Sequence, residues 1–198
     1  SANGDQGVVL SGAGATGNVV QANRIGTRPD GTTSAPNLFC GVLLQKAFDN
    51  LIGGEGIGEG NVVAHNGYRG VCVESGDGNA ILGNSIVENG VSGIDLAPNG
   101  IALNDPGDVD SGPNHGQNYP VLTSVASSAN SATFRGTLSS SPDSSFTIEL
   151  FSSPQCHWSG FGQGKTLLGR FKLQTDAAGN AAFRKTFNVT LADPSVTA

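Results

Sequence analysis

Short apolar segments separated by asparagine and glycine recur along the first half of the chain. Within each segment apolar side chains occupy every second position, which is the period of a β-strand rather than the 3.6-residue period of a helix. Four of these segments share one place in a repeated unit, and they are GVVL (7–10), GVLL (41–44), GVCV (70–73) and GIDL (93–96). The pattern predicts short strands joined by tight turns.

The segments recur at a fixed interval in the clearest part of the repeat. Landmarks that lie 23 residues apart are Asn61 and Asn84, Asn66 and Asn89, and Gly70 and Gly93. A fixed period of 20–50 residues is the signature of a solenoid or repeat array. Two insertions interrupt the period, at residues 26–40 and 53–60. Loops that leave a solenoid on one side often form its binding face, although tolerated surface loops are commoner.

Aligning the repeats places aliphatic residues in rows. The rows are Val8, Val42, Val71 and Ile94; Leu10, Leu44, Val73 and Leu96; Val20, Ile52 and Ile81; and Ile25, Val63 and Ile86. Three strands per repeat would direct these side chains into one core, with a further row of Val9, Leu43, Cys72 and Asp95 facing outward. Asparagine then occupies the corners, because it tolerates left-handed backbone and its amide can bond to the next asparagine in the stack.

The segments NRIGTRPDGTTSAPN, NVVAHN and GNAILGNSIVENGVSGIDL carry a family resemblance. They resemble right-handed parallel β-helix repeat proteins of the pectate-lyase-like superfamily, over about residues 7–104. The resemblance implies a short right-handed parallel β-helix of about four coils in residues 1–104. It does not imply an activity, because that superfamily includes lyases, hydrolases, epimerases and non-catalytic surface proteins.

The repeat stops after Leu96, and the second half has a different pattern. Residues 105–118 form a turn-rich connector, and residues 119–198 contain longer alternating segments: YPVLTSVA, SATFRGTL, SSFTIELFS, KTLLGRFKLQT and NAAFRKTFNVTLA. These segments predict an antiparallel β-sandwich. DPGDVDSGPN, FTIELFSSPQC and DAAGNAAF resemble the immunoglobulin-like domain that follows β-helices in many bacterial extracellular proteins. No final strand is obvious, so we expect a truncated or permuted domain.

Charge and cysteine content narrow the classes of partner. The net charge of −6 disfavours nucleic acid and anionic membrane as main partners. The sequence contains no apolar run of about 18 residues, so no segment is predicted to span a membrane. The chain has three cysteines, Cys40, Cys72 and Cys156, which are too few for a disulfide framework but leave a single bridge open.

Carboxylates cluster in the connector. Asp105, Asp108 and Asp110 lie close together in the sequence, with Asn104 and Asn114 on either side. Oxygen ligands at short alternating spacing on a flexible loop are what Ca²⁺ prefers. The alternative is that these residues form Asx-turns that fix the connector. The sequence therefore nominates Ca²⁺ as a cofactor, with the three aspartates as its ligands.

The outward row contains a single carboxylate, Asp95, whereas a lyase-type Ca²⁺ cage needs several and a glycoside hydrolase needs two. His65 and Glu88 are 23 residues apart, and we expect an exposed ion pair rather than an acid–base couple. Trp158, in the long loop 154–164, and Tyr68, at a corner, are candidates for stacking on a sugar. A solitary aromatic residue nevertheless more often fills space in a hydrophobic core or fixes a loop by packing against it.

The sequence thus favours a non-catalytic secreted or cell-surface module, for adhesion or contact with a polysaccharide or cell-surface glycan. The alternative is a fragment of a polysaccharide lyase or glycoside hydrolase whose catalytic coils lie elsewhere. The first coil begins within a few residues of Ser1, and no capping segment precedes GVVL. We therefore expect end-to-end self-association through the N-terminal coil, since open strand edges invite pairing.

Overall fold

The computed structural model describes residues 2–96 and 100–198. Parallel strands occupy the first half. They are β1 Val8–Ser11, β2 Val19–Val20, β3 Arg24–Ile25, β4 Val42–Gln45, β5 Leu51–Gly53, β6 Val62–Ala64, β7 Arg69–Ser75, β8 Ala80–Leu82, β9 Ser85–Val87 and β10 Ser92–Asp95. We call residues 2–96 the parallel part of the molecule.

Three parallel sheets form this part, in the strand orders β1-β4-β7-β10, β2-β5-β8 and β3-β6-β9. Every third strand returns to the same sheet, so that each repeat adds one strand to each sheet. Val42 pairs with Val8 and Val71, and Ile52 pairs with Val20 and Ile81. The register of these ladders confirms the predicted alignment of the repeats.

The aliphatic rows form the core of the parallel part. Its fully buried members include Val42, Leu44, Ile52, Val63 and Val71. Ile94 is an exception, since its side chain is 44% exposed although it stands in register with Val71. It lies in β10, the last strand of its sheet, and no further strand of the described ranges covers it.

The predicted outward row needs correction. Val9 is exposed, but Cys72 and Asp95 are buried. Cys72 forms a disulfide with Cys40, and Asp95 faces the guanidinium of Arg69, with Nε and Oδ2 2.9 Å apart. Alternation along a strand shows which face a side chain uses, but it does not reveal whether that face is covered.

Asparagine ladders hold the repeats together at three corners. They are Asn18–Asn50–Asn79, Asn23–Asn61–Asn84 and Asn37–Asn66–Asn89. In the middle of the first ladder, Oδ1 of Asn79 accepts hydrogen bonds from the backbone N–H of Asn50 at 3.2 Å and from its Nδ2 at 2.9 Å. Each amide therefore satisfies polar groups of the neighbouring repeat that the fold has buried.

The second half is antiparallel. Its strands are β11 Val121–Ser127, β12 Ala132–Ser139, β13 Ser145–Ser153, β14 Thr166–Gln174, β15 Asn180–Phe187 and β16 Ser195–Thr197. They form two sheets, β11-β12-β15 and β14-β13-β16, and residues of both sheets meet in a second core around Phe134 and Leu150. We call residues 119–198 the antiparallel part. The all-β prediction, with parallel sheets followed by antiparallel sheets, is confirmed.

The strands of the antiparallel part match the five predicted segments, but β16 was not predicted. Its sequence, SVT, is too short and too polar to give a recognisable alternating pattern. It pairs with the end of β13, where Phe151 stands opposite Thr197 and Ser153 opposite Ser195. The sequence has no obvious final strand, and the structure adds β16 at this place.

Residues of the second half close two of the three asparagine ladders, those that end at Asn79 and Asn89. Asn114, in the 3₁₀ turn Pro113–Gly116, accepts the backbone N–H of Asn79 at 3.1 Å. Gln163 accepts the backbone N–H of Asn89 at 3.0 Å and donates to its carbonyl at 2.9 Å. The connector and the loop 154–164 thus cap the stack. A repeat array needs such a polar cap at its end to remain soluble.

Candidate functional site

The connector places the three predicted aspartates together. Asp105, Asp108 and Asp110 each direct a carboxylate oxygen to within 4.8 Å of the other two. The turn that does this has left-handed backbone at Gly107 (φ 79°) and Asp108 (φ 58°), conformations that glycine and aspartate tolerate better than most residues. The grouping expected from the sequence is therefore present in the fold.

Hydrogen bonds anchor the aspartate cluster to the antiparallel part. Asp108 Oδ1 accepts the backbone N–H of Asn118 at 2.9 Å, and its Oδ2 accepts the hydroxyl of Ser140 at 2.6 Å. The side-chain amide of Asn118 donates to the carbonyls of Asp105 and Ser139, both at 2.7 Å. These contacts give Asp108 the turn-fixing role that the alternative interpretation assigned to it.

Other oxygens of the cluster are less satisfied. Asp105 Oδ2 accepts the backbone N–H of Val109 at 3.1 Å, whereas its Oδ1 is shielded from solvent and has no hydrogen-bond partner among the described residues. Asp110 packs closely against Gly116, at a position where a β-carbon would collide with its carboxylate. Three negative charges at this spacing repel one another, and a bound divalent cation would offset that repulsion.

The two asparagines that flank the aspartates in the sequence are engaged elsewhere. Asn104 exchanges hydrogen bonds with the backbone of Tyr119, donating at 2.7 Å and accepting at 2.9 Å. Asn114 belongs to the ladder cap described above. Any cation would therefore use the three carboxylates, backbone carbonyls and water, which suits the hard oxygen coordination of Ca²⁺.

Trp158, the tryptophan predicted as a candidate for stacking on a sugar, is accessible to solvent. Trp158 is 76% exposed, and its ring lies 5.2 Å from that of His157, measured between centroids. His157 Nδ1 is 2.8 Å from the hydroxyl of Ser159, so the tip of the loop is ordered by local polar contacts. The same loop ends in the buried Gln163, which gives it a structural role as well.

Tyr68, the second nominated aromatic residue, lies on a corner of the parallel part. It is 36% exposed, and the guanidinium carbon of Arg69 lies 4.3 Å from its ring centroid. Arg69 therefore occupies one face of the ring, in a cation–π contact. Ligand contact at Tyr68 is restricted to the remaining face and the ring edge.

An aromatic residue that the sequence analysis missed adjoins Tyr68. The backbone N–H of Tyr68 donates to the carbonyl of Phe39 at 3.2 Å, and the Phe39 side chain is 46% exposed. Leu38, beside it, is also exposed. We call Leu38, Phe39 and Tyr68 the corner strip. The repeat contained the signal, because Phe39 precedes Gly41 by two residues as Tyr68 precedes Gly70.

His65 and Glu88 lie close together on the surface, as the 23-residue interval between them predicted. His65 Nδ1 and Glu88 Oε2 are 3.1 Å apart, and the Glu88 side chain is largely exposed, as expected for a surface ion pair. Glu74, the carboxylate that follows the GVCV segment (70–73), accepts a hydrogen bond from Gln45 at 2.9 Å, and Asp95 faces Arg69.

One carboxyl group at the junction of the two parts has a perturbed pKa. Burial raises the pKa of Glu149, and this effect outweighs the opposing contributions of the Gly83 backbone N–H and Arg170. The Glu149 carboxylate accepts the Gly83 N–H at 2.8 Å, and its other oxygen is 3.0 Å from an Arg170 nitrogen. These contacts tie β13 to the parallel part.

Comparison with models of known protein families and with curated protein sequences gives no match to this chain. In the described ranges 2–96 and 100–198, no helix is long and apolar enough to cross a membrane.

Proposed function

We propose that this chain is a non-catalytic module of a secreted or cell-surface protein, and that it acts in adhesion or carbohydrate contact. In this proposal the parallel part is a short right-handed parallel β-helix and the antiparallel part is an immunoglobulin-like β-sandwich. Three parallel sheets with one strand per repeat support the first assignment. Two facing antiparallel sheets support the second.

The observation that carries the functional proposal is the corner strip. Phe39 and Tyr68 occupy equivalent positions in successive repeats, so their backbones are separated by about one strand spacing of 4.8 Å. Exposed aromatic rings on a fixed backbone provide flat apolar area at low entropic cost. Such a surface suits the apolar faces of sugar rings, and Trp158 offers a third exposed ring in the loop 154–164.

The disulfide supports the proposed location. Cys40 and Cys72 are bonded, whereas Cys156 is free. Structural disulfides persist in oxidising compartments and are rare in the cytosol. A buried bridge between two repeats therefore favours secretion or display on a cell surface.

Ca²⁺ completes the proposal as a structural cofactor. The cluster of Asp105, Asp108 and Asp110 adjoins Ser140, which follows β12, so an ion bound there would stiffen the path between the two parts. The proposed ion has no catalytic role. It would instead hold the parallel part and the antiparallel part in a fixed relative orientation.

Binding of the purified protein to an array of bacterial and host glycans tests the function. We expect binding that Phe39→Ala and Tyr68→Ala each weaken about tenfold, which corresponds to about 1.4 kcal/mol per ring. Trp158→Ala, examined in parallel, shows whether the second aromatic position contributes. Phe48→Ala is the matched control, since Phe48 is 37% exposed but lies in a different part of the repeat.

Two results would contradict the proposal. Absence of glycan binding by the wild-type protein would leave the corner strip without its proposed ligand. Release of unsaturated products from acidic polysaccharides would instead favour the alternative, a lyase fragment.

A further inference from the structure

The positive charges of the chain are concentrated in the antiparallel part. Residues 119–198 contain six lysine and arginine residues against four aspartate and glutamate residues, a net charge of +2, whereas the whole chain carries −6. Residues 1–118 therefore carry the excess of negative charge. A protein of negative net charge can still bind an anion where its positive groups are gathered and its carboxylates are distant, because salt screens distant charges.

Two of the positive groups stand directly opposite each other. Arg135 of β12 pairs with Arg184 of β15, and both residues are exposed. Phe134 and Phe183, which precede them in their strands, are buried, so the two arginines project from the outer face of the sheet β11-β12-β15. The β-carbons of directly opposite residues are about 5 Å apart. We call Arg135 and Arg184 the arginine pair.

No carboxylate of the ranges 2–96 and 100–198 forms a salt bridge with the arginine pair. Glu149 is engaged by Arg170 instead. The aspartate cluster contacts Ser140, which is five residues beyond Arg135 or about 17 Å along an extended chain, and charges at that distance are largely screened at physiological salt. Like charges directly opposite on a sheet destabilise it, and a bound anion would offset their repulsion.

Hydroxyl groups surround the arginine pair on the same face of the sheet. Ser124 of β11 stands opposite Arg135, so that one row across the three strands contains a serine and the two arginines. Two residues along the strands, the hydroxyls of Thr133 and Thr186 are 2.8 Å apart. The face therefore combines guanidinium and hydroxyl donors, which the oxygens of sulfate and carboxylate groups accept.

We propose that the arginine pair binds the sulfate or carboxylate groups of an anionic polysaccharide. A guanidinium presents a planar fork of N–H donors that matches either group. A polymer suits this face because the face is flat and exposed, and a chain of charged sugars can contact both arginines at once.

The class of ligand rests on the proposed glycan contact, but the site is a separate one. The arginine pair lies on β12 and β15, whereas the corner strip lies between β3 and β4 and between β6 and β7. The two sites can therefore be tested separately in the same protein.

Three forms of one polymer are the probes: dextran sulfate, carboxymethyl dextran and unmodified dextran. Binding of the full chain to each immobilised polymer is measured by surface plasmon resonance at low ionic strength. At least one charged form should bind about tenfold more tightly than unmodified dextran, since charge-assisted hydrogen bonds are the stronger ones. Comparison of the two charged forms identifies the preferred group.

Protein variants test the location of binding. Arg135→Gln and Arg184→Gln should each weaken binding of the preferred charged dextran about tenfold, because each removes one guanidinium fork. Lys172→Gln is the matched control, since it removes the same charge from an exposed position on β14 of the other sheet and should leave the affinity unchanged.

Arg184→Glu separates binding from folding. It should abolish binding of the charged dextran. It also places opposite charges across from each other, so without polymer its melting temperature should equal or exceed that of the wild-type protein.

Three results would overturn the proposal. They are equal affinity for all three dextrans, unchanged affinity in both glutamine variants, and an equal loss in Lys172→Gln, which would indicate diffuse attraction to the whole domain. Full binding in the arginine variants together with a loss in Phe39→Ala would also contradict this site, while supporting the glycan contact proposed for the corner strip.

Discussion

Replacement of a ladder asparagine in the middle of the stack should destabilise the protein far more than replacement of the asparagine at the end. Asn50 is buried, and its side chain makes four hydrogen bonds. Its Oδ1 accepts from the backbone N and Nδ2 of Asn18, both at 2.9 Å, and its Nδ2 donates to Ala15 O at 3.0 Å and Asn79 Oδ1 at 2.9 Å. Asn50→Ala removes all four.

The expected loss follows from that count. A buried hydrogen bond contributes a net of about 1 kcal/mol, so Asn50→Ala should lower the free energy of unfolding by about 4 kcal/mol. Asn18 is the matched control, because it belongs to the same ladder but is exposed, and its side chain makes one ladder bond, from Nδ2 to Asn50 Oδ1. Asn18→Ala should therefore cost about 1 kcal/mol.

Urea unfolding followed by circular dichroism measures both variants. The difference between them, about 3 kcal/mol, is more reliable than either value, because errors common to the two extrapolations cancel. If the two variants unfold at the same urea concentration, the ladder does not hold the repeats together. The aliphatic core would then be the sole determinant of their register.

Three further predictions concern other parts of the molecule. Ca²⁺ at about 100 times its dissociation constant should raise the free energy of unfolding by about 2.7 kcal/mol if it binds the connector. Asp110→Asn should reduce this gain in melting experiments. An unchanged melting curve of the wild-type protein in Ca²⁺ would leave the aspartates with a turn-forming role alone. Reduction of the Cys40–Cys72 bridge, whose cysteines are 32 residues apart, should cost about 4 kcal/mol by the loop-entropy argument, whereas Cys156→Ser should have little effect on the same unfolding curve. Because the pKa of Glu149 is raised in the folded protein, the folded state holds this proton more tightly than the unfolded state, and stability should fall as the pH rises from its ordinary value of 4.5 through the raised one. Glu149→Gln should flatten that decline in melting temperatures recorded against pH, and an identical slope in both proteins would assign it to other groups.

The register of the parallel part could be predicted because the repeat encodes it locally. Once the landmark asparagines are aligned, the partners of Val42 and Ile52 follow by counting. The strands of the antiparallel part could be predicted for a similar reason, since alternation over eight or nine residues is a strong signal. The strand β16 has only three residues and carries no such signal.

The burial of Cys72 and Asp95 could not be predicted in the same way. Alternation correctly separates them from the core row, but their burial depends on what covers the other face of the sheet. The partner of Asp95 is Arg69, which lies one repeat earlier and three residues before Cys72. A salt bridge of this kind depends on the stacking distance and on side-chain conformation, which the one-dimensional pattern does not contain.

The residue that caps the third ladder, Gln163, could not be predicted from the repeat. Gln163 lies 74 residues after Asn89, far beyond any interval of the repeat, and its type is glutamine rather than asparagine. Its longer side chain nevertheless reproduces the ladder acceptor contacts, because Oε1 accepts the Asn89 N–H and the Asn89 side-chain amide, and it adds a donation to the Asn89 carbonyl. The requirement at the end of a stack is that exposed polar groups be satisfied, and any amide that the tertiary fold brings within reach can meet it. The repeat therefore specifies that a cap is needed, while the packing of the antiparallel part decides which residue supplies it.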